Sequence, residues 1–239
     1  MPRAAERRVA RKPNASGRFE SGRRARPGRL SRRVHGRPVK RGSLIAFEGL
    51  DGSGKSTQVA ALVGALRAAG RDAFATCEPT DGPTGARIRE MARSGAALAP
   101  EEELRWFVED RRTHVRDTLQ PALAAGRVAV TDRYFLSSVA YQGARGLDWG
   151  RILAESEAEF PLPDLALLLE VDVAEGLARV RGRGNAIEGV FERKDYLERV
   201  AAIFAAVDRP YVERVSAAGS VAEVHARVVD RVRVRLRLL

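Results

Sequence analysis

Gly49, four further residues, then Gly54, Lys55 and Ser56 fill every fixed position of a phosphate-loop signature. The residue types explain what such a loop does. Glycines at 49, 52 and 54 let the backbone curl so that its N–H groups face an anion. A helix beginning near Lys55 adds the positive end of its dipole. Lys55 can reach the β- and γ-phosphates of a nucleoside triphosphate, and the Ser56 hydroxyl can ligate Mg2+. The candidate triphosphate-binding stretch is Gly49, Leu50, Asp51, Gly52, Ser53, Gly54, Lys55, Ser56 and Thr57. It does not say which molecule receives the phosphate.

Four other places could do chemistry. Asp132 and Arg133 follow the apolar run Val128 to Thr131. An acid at the end of a buried strand can hold a Mg2+ shell, and a guanidinium beside it can fork a phosphate. A helix cap and a surface ion pair would use the same two residues. Phe107 and Arg111 lie one helical turn apart and could stack on and hydrogen-bond a nucleobase, or be a core ring and a solvated cation. Glu78 to Gly85 is dense in turn formers at the carboxyl end of a candidate strand, where open α/β sheets hold ligands. Arg179, Arg181 and Arg183, interleaved with Gly182 and Gly184, suit either a flap that closes over phosphates or a solvated basic loop.

The flanks of these residues read as alternating strands and helices. Leu44 to Phe47 is a short buried-strand run, and Val59, Leu62, Val63 and Leu66 give the helix after it one apolar face, ending near Gly70. Asp72 to Thr76 reads as a second strand and 85–94 as a helix. Pro100 with Glu101 to Glu103 opens a long helix to Ala125, with Leu104, Val108, Val115, Leu119 and Leu123 on its buried face and Gly126 as its stop. Val128 to Thr131 is the third strand, and a short helix lies within Ser137 to Arg145. Asp164 to Val171 is a fourth strand, apolar on both faces, and Asp172 caps a helix from Val173 to Arg181. An amphipathic helix over 189–208, a strand from Tyr211 to Ser216 and a helix over 221–239 complete the chain. The pattern implies an α/β fold: a doubly wound parallel five-stranded sheet flanked by helices around one core.

Composition bounds the partners. The chain has 239 residues, 44% of them hydrophobic, and a formal charge of +11. Residues 1–42 hold 15 Lys or Arg against two acids, so the rest is close to neutral. That Arg-, Pro- and Gly-rich stretch cannot bury enough surface to offset its ordering entropy, and disorder is expected there. It could bind RNA or anionic surfaces non-specifically, act as an organelle transit peptide, or reflect a start codon placed too far upstream; an inert tail or that artefact fits best. Nucleic acid is therefore not an expected partner, except non-specifically through the tail. One cysteine, Cys77, excludes an intramolecular disulfide and any multi-cysteine zinc site. No run has the length of a membrane span, and no apolar secretory core opens the chain. A GTPase is disfavoured because no lysine (12, 40, 55 or 194) sits in an Asn-Lys-x-Asp motif.

Taken in order, the motifs resemble the thymidylate kinase family of P-loop kinases over residues 43 to about 235. They are FEGLDGSGKSTQ at 47–58, EPT at 78–80, FVEDR at 107–111, DRYFLSSVAYQG at 132–143, the arginines at 179–183 and FERKDYLERV at 191–200. The resemblance implies transfer of the γ-phosphate of ATP to dTMP with Mg2+, by a cytoplasmic homodimer with a short Arg-rich lid over about 179–190. It implies that Phe107 stacks on thymine, Arg111 and Gln142 meet the base, and Arg133 holds the dTMP phosphate with Ser137 nearby. Tyr141 would pack where a ribose 2′-hydroxyl would sit, Asp51 would place the acceptor, and Glu192 would lie near the sugar. Ser56 and Asp132 would hold Mg2+. Lys55, Arg133, Asp51, Arg179, Arg181 and Arg183 form the implied catalytic set. Some members carry Arg where this chain has Gly52; with lid arginines present, the arrangement resembles the bacterial one. Cys77 stands where many members have Arg, and Gly184-Asn185-Ala186 where the bacterial lid continues with Asp-Arg. No general base is needed, because the acceptor phosphate is already anionic. The alternatives are another nucleoside or nucleoside monophosphate kinase on this fold, or a nucleic-acid-binding ATPase using the tail.

Overall fold

The computed structural model describes residues 33–34, 37–38, 41–95, 98–182 and 194–239. Contacts divide the chain into Met1–Pro38 and Val39–Leu239. In the first unit, Arg33–Val34 pairs antiparallel with Arg37–Pro38. The remainder of the expected disordered tail lies outside the described residues, apart from 41 and 42.

The second unit is built on five strands: β1 (Ser43–Gly49), β2 (Ala73–Cys77), β3 (Val128–Asp132), β4 (Leu165–Glu170) and β5 (Val212–Ser216). They lie in the order β2-β3-β1-β4-β5, all parallel. The helices are α1 (Lys55–Ala68), α2 (Pro83–Ser94), α3 (Pro100–His114), α4 (Gln120–Ala124), α5 (Phe135–Gly143), α6 (Trp149–Glu159), α7 (Val173–Arg181), α8 (Lys194–Ala206) and α9 (Val221–Leu236).

Alternation along the strands makes the two faces. Ile45, Phe47, Val128, Val130, Leu165, Leu167 and Leu169 pack with Leu62 and Leu66 of α1 and Val228 and Val232 of α9. Leu44, Ala46, Ala129, Ala166 and Leu168 pack on the other face with Val139 of α5, Leu153 of α6 and Val200 and Phe204 of α8. Helices thus cover both sides of the sheet, as its apolar strands require. Each fully buried Leu or Ile contributes roughly 1.5–3 kcal/mol.

Register aligns the ends that carry the site. Phe47 of β1 lies opposite Asp132 of β3, and Asp132 lies opposite Cys77 of β2. The loops that follow β1, β2 and β3 therefore leave the sheet side by side.

Four elements differ from the sequence reading, one of them α5, which starts at Phe135 and not at Ser137. The long helix reaches Ala124 but contains a π-helical turn at Val115–Leu119, just before Pro121, which has no N–H to continue the α-ladder. Helix α6 had no counterpart in the reading; its signals are the Asp148 cap, which accepts from the Arg151 N–H, and the buried Ile152, Leu153 and Ser156. Helix α2 starts two residues early, at Pro83, where a missing N–H costs nothing. Of the helix expected over 189–208, residues 189–193 lie outside the described residues.

Candidate active site

The phosphate loop is shaped by close backbone approaches. Gly52 has φ 82°, and a Cβ there would lie 2.2 Å from the Gly176 carbonyl oxygen of α7. Any side chain at 52 would displace α7, so the glycine that distinguishes this loop is also what admits that helix. Lys55 is buried in the first turn of α1 and donates through Nζ to the carbonyls of Gly49 (3.1 Å) and Leu50 (2.8 Å). Burial pushes its pKa down to about 8, with Arg133 adding to the shift and Asp51, Asp132 and Glu48 opposing it. The Ser53 hydroxyl in the same loop is buried and has no partner among the described residues.

Register brings Asp132 to this loop, where its Oδ2 accepts from Ser56 Oγ at 2.5 Å. An oxygen-only donor pair beside a phosphate cradle suits a hard cation such as Mg2+. Among the described residues no group of three or more His, Cys, Asp or Glu side chains could hold a metal by itself, so phosphate and water would complete the shell.

Arg133 follows directly, in the left-handed region at φ 72°. The turn is held from three sides: the Arg133 N–H donates to the Phe47 carbonyl, Thr131 Oγ1 donates to the Arg133 carbonyl, and the Tyr134 N–H donates to Glu48 Oε1 at 2.9 Å. Strain of this kind persists where the surroundings over-determine it, and it clusters at functional sites. The guanidinium donates to Asp51 Oδ1 (2.5 Å) and Ser137 Oγ (3.0 Å) and lies 4.9 Å from the centre of the Tyr141 ring. Burial works against its charge but is outweighed, chiefly by Asp51, so its pKa stands well above the ordinary arginine value. Asp51 is held below the usual carboxylate range, since Arg133 and Lys55 together overcome its own burial.

Two cavities meet at this pair. One, of about 330 Å3, is lined by Gly52, Gly54, Lys55, Ser56 and Asp132 together with Asp51, Pro79, Arg89 and Arg133. The other, of about 240 Å3, shares those last four and is closed by Ile88, Met91, Phe107, Ser137, Ser138, Tyr141 and Gln142. A polar, phosphate-sized space thus adjoins an apolar one edged with hydrogen-bonding groups. Facing walls of that kind suit a small aromatic molecule that carries its own anion.

The loop after β2 forms the shared wall. Asp110 clamps it by accepting from the Thr80 N–H (2.8 Å) and Oγ1 (2.6 Å), and Arg89 Nη1 donates to the carbonyls of Pro79 and Thr80. The Glu78–Pro79 peptide is cis.

A model of the family described as thymidylate kinase matches residues 47–228. The chain belongs to the thymidylate kinase family. A curated thymidylate kinase of Desulfotalea psychrophila is 40% identical over 197 residues, covering 82% of this chain and 97% of that relative. Thymidylate kinases of Xanthomonas campestris pv. campestris (43% over 201 residues) and Xanthomonas euvesicatoria pv. vesicatoria (44% over 199 residues) each cover 82% of this chain and 87% of their own length.

The thymidylate kinase reading of the sequence named most of the residues that line the two cavities. Lys55, Ser56, Asp51, Asp132 and Arg133 gather at one, and Phe107, Ser137, Tyr141 and Gln142 at the other. Arg111 is 1% exposed; it donates through Nε to Glu78 (2.8 Å) and through Nη2 to the Tyr134 carbonyl and Ser138 Oγ, so it braces the wall, and among the described residues its Nη1 has no partner. Arg179 lies on α7, with Nη1 3.5 Å from the Gly52 carbonyl and Nη2 on Glu175 and the Ala217 carbonyl. Arg181 is exposed at the end of α7. Arg183 and Glu192 lie outside the described residues.

Sequence reasoning passed over Glu48, Arg89, Glu103 and Asp110. Three of these are acids at positions where a strand or helix face is buried. A buried charge without a local partner is the signal that could have marked them.

Proposed function

We infer that this protein transfers the γ-phosphoryl group of ATP to dTMP, giving dTDP. Membership of the thymidylate kinase family supports the reaction, and one observation carries its geometry: the phosphate-loop cavity and the base-sized cavity share Arg133 and Asp51. The donor triphosphate belongs in the Gly49–Thr57 loop, and the acceptor belongs beside Phe107, Tyr141 and Gln142. The alternatives weighed from the sequence predict no such paired cavity (the nucleic-acid-binding ATPase) or a different family match (another nucleoside kinase).

Each residue then has a physical task. Lys55 exchanges its carbonyl partners for the β- and γ-phosphates. Arg133, already aimed by Asp51 and Ser137, holds the acceptor phosphate in line. Phe107 stacks on the base, and Tyr141 packs against the sugar. Arg179, Arg181 and Arg183 neutralise charge on the transferred group. Positioning and charge neutralisation suffice, since the attacking oxygen is already anionic. Ser56 and Asp132 would hold Mg2+, which would supply positive charge to offset that of the phosphates.

The homodimeric state and cytoplasmic location implied by the resemblance belong to the same proposal. Among the described residues no helix is long and apolar enough to cross a membrane. The test is a coupled assay for ADP release with and without dTMP. Release that depends on dTMP, with dTDP as product, is expected. ATP turnover indifferent to dTMP would overturn the reading.

A further inference from the structure

Helix α8 completes the end of α5 that lines the base-sized cavity. At that end the Arg145 N–H, which a continuing α-helix would send to the Tyr141 carbonyl, donates to the Gln142 carbonyl instead. Tyr196 of α8 serves the carbonyl left behind: its hydroxyl donates to the Tyr141 oxygen at 2.9 Å. Three residues on, Arg199 Nε donates to the Ala144 carbonyl at 3.2 Å. Two side chains of one helix thus supply partners that the terminus of another needs. The helices are pressed together between these bonds, where a Cβ at Gly143 would lie 3.0 Å from Ile203 Cδ1.

The same helix holds the Tyr141 side chain, which lines the cavity. Two buried rings of α8 pack on it edge to face: Tyr196 at 6.3 Å between centroids and 67°, and Phe204 at 6.4 Å and 80°. The Tyr141 hydroxyl lies 3.4 Å from both Arg133 Nη2 and Asp51 Oδ2. The site's charged pair therefore fixes one end of the residue, and α8 fixes its ring and its backbone. A ring packed this closely moves only if its neighbours move too.

We propose that Tyr196 and Phe204 are positioning residues for sugar selection: by holding Tyr141 in place from α8, they make its ring a fixed wall against a ribose 2′-hydroxyl. Neither side chain lines the base-sized cavity, so each acts through Tyr141. A ribonucleotide has to displace the Tyr141 ring to be accepted, and the two α8 rings resist that displacement. Rejection of an added hydroxyl by packing alone reaches about 10²-fold, and it depends on the wall being stiff. This inference rests on the acceptor reading given above.

The test measures kcat/KM for dTMP and for ribothymidine 5′-monophosphate, which differ only in the 2′-hydroxyl. It compares the natural protein with Tyr196→Phe, Phe204→Leu and Leu153→Ala. The ratio of dTMP to ribonucleotide should fall by about 3-fold or more in Tyr196→Phe, which keeps the ring and strands the Tyr141 carbonyl. It should fall by about 10-fold in Phe204→Leu, which opens space beside the Tyr141 ring. Leu153→Ala is a core loss in α6 that removes neither contact. It should lower the melting temperature and leave the ratio unchanged, which separates positioning from general loosening. A ratio that does not fall in Tyr196→Phe or in Phe204→Leu, or that falls as far in Leu153→Ala, overturns the proposal. If one of the two α8 variants shows no melting transition, the other decides alone. A natural protein that makes dTDP but uses the ribonucleotide equally well overturns the proposal and leaves the acceptor reading standing. A natural protein that makes no dTDP sinks the acceptor reading, and this inference with it.

Discussion

Lys55 and Glu48 are both buried ionisable groups beside Arg133, and burial moves their pKa values towards neutrality from opposite sides, to about 8 and about 7. Among the described residues Lys55 donates only to carbonyl oxygens, a weak substitute for phosphate. Lys55→Ala should lower kcat by on the order of 10²–10³-fold, as loss of one preorganised charge contact does. Its melting temperature should stay within about 4 °C, because the desolvation cost leaves with the charge. Transfer at the normal rate in a single-turnover assay would remove Lys55 from the mechanism. Glu48 accepts from the Tyr134 N–H and Ser137 Oγ, and burial raises its pKa from 4.5 to about 7. Between those values the folded chain keeps a proton that the unfolded chain releases, so this group's contribution to stability falls as pH rises, by about 3 kcal/mol in all. Glu48→Gln should flatten the stability-versus-pH curve between pH 4.5 and 7; denaturant midpoints that track the natural protein across that window would show that Glu48 does not titrate there. The phosphate-loop residues were legible because their chemistry is contiguous in sequence. Glu48 was not, because its partner Ser137 is 89 positions away, and only the parallel pairing of β1 with β3 brings them together.

At the scale of elements, α7 and the phosphate loop are fitted backbone to backbone. Gly52 and Gly54 both have positive φ, 82° and 92°, yet a Cβ at 52 would strike the Gly176 carbonyl while one at 54 would meet nothing within 4 Å. The two alanine substitutions therefore separate conformational strain from collision. Gly54→Ala should cost about 1 kcal/mol, the backbone term alone. Gly52→Ala should cost about 1–3 kcal/mol more and lower the melting temperature by a further ~2–4 °C per kcal/mol. Equal melting temperatures would mean that α7 does not rest on the loop. Most elements were legible for reasons of the same kind: strands buried on both faces read as unbroken apolar runs, and α1, α7 and α9 carry clear caps or stripes. Helix α6 escaped because its buried set is short, Ile152, Leu153 and Ser156 among acids and alanines. The π-turn escaped because Val115 and Leu119 satisfy an α-helical spacing whatever the hydrogen-bond register between them.

For the whole molecule the question is whether the basic N-terminal stretch takes part in function. The net charge of +11 is produced there, while among the described residues the two hydrophobic clusters that flank the sheet draw on Leu44 and residues after it. The folded unit secures its own entrance, since the Gly42 N–H donates to the Leu123 carbonyl and the Ser43 N–H to the Arg127 carbonyl. A chain that begins at Lys40 keeps both bonds and every described residue that lines the two cavities. Such a truncation should melt within about 2 °C of the full chain and retain kcat/KM for dTMP to within about 2-fold, the tolerance of changes away from a core or site. Retention on a polyanion column should drop and lose most of its salt dependence, because that binding scales with the cations that meet phosphates. The two measurements are independent. A truncation that bound polyanions less while keeping its kinetics would confine the tail's charge to non-specific contacts. A fall of ten-fold or more in kcat/KM with the melting temperature unchanged would place part of the first 39 residues in catalysis, and the division of labour argued from charge would be wrong.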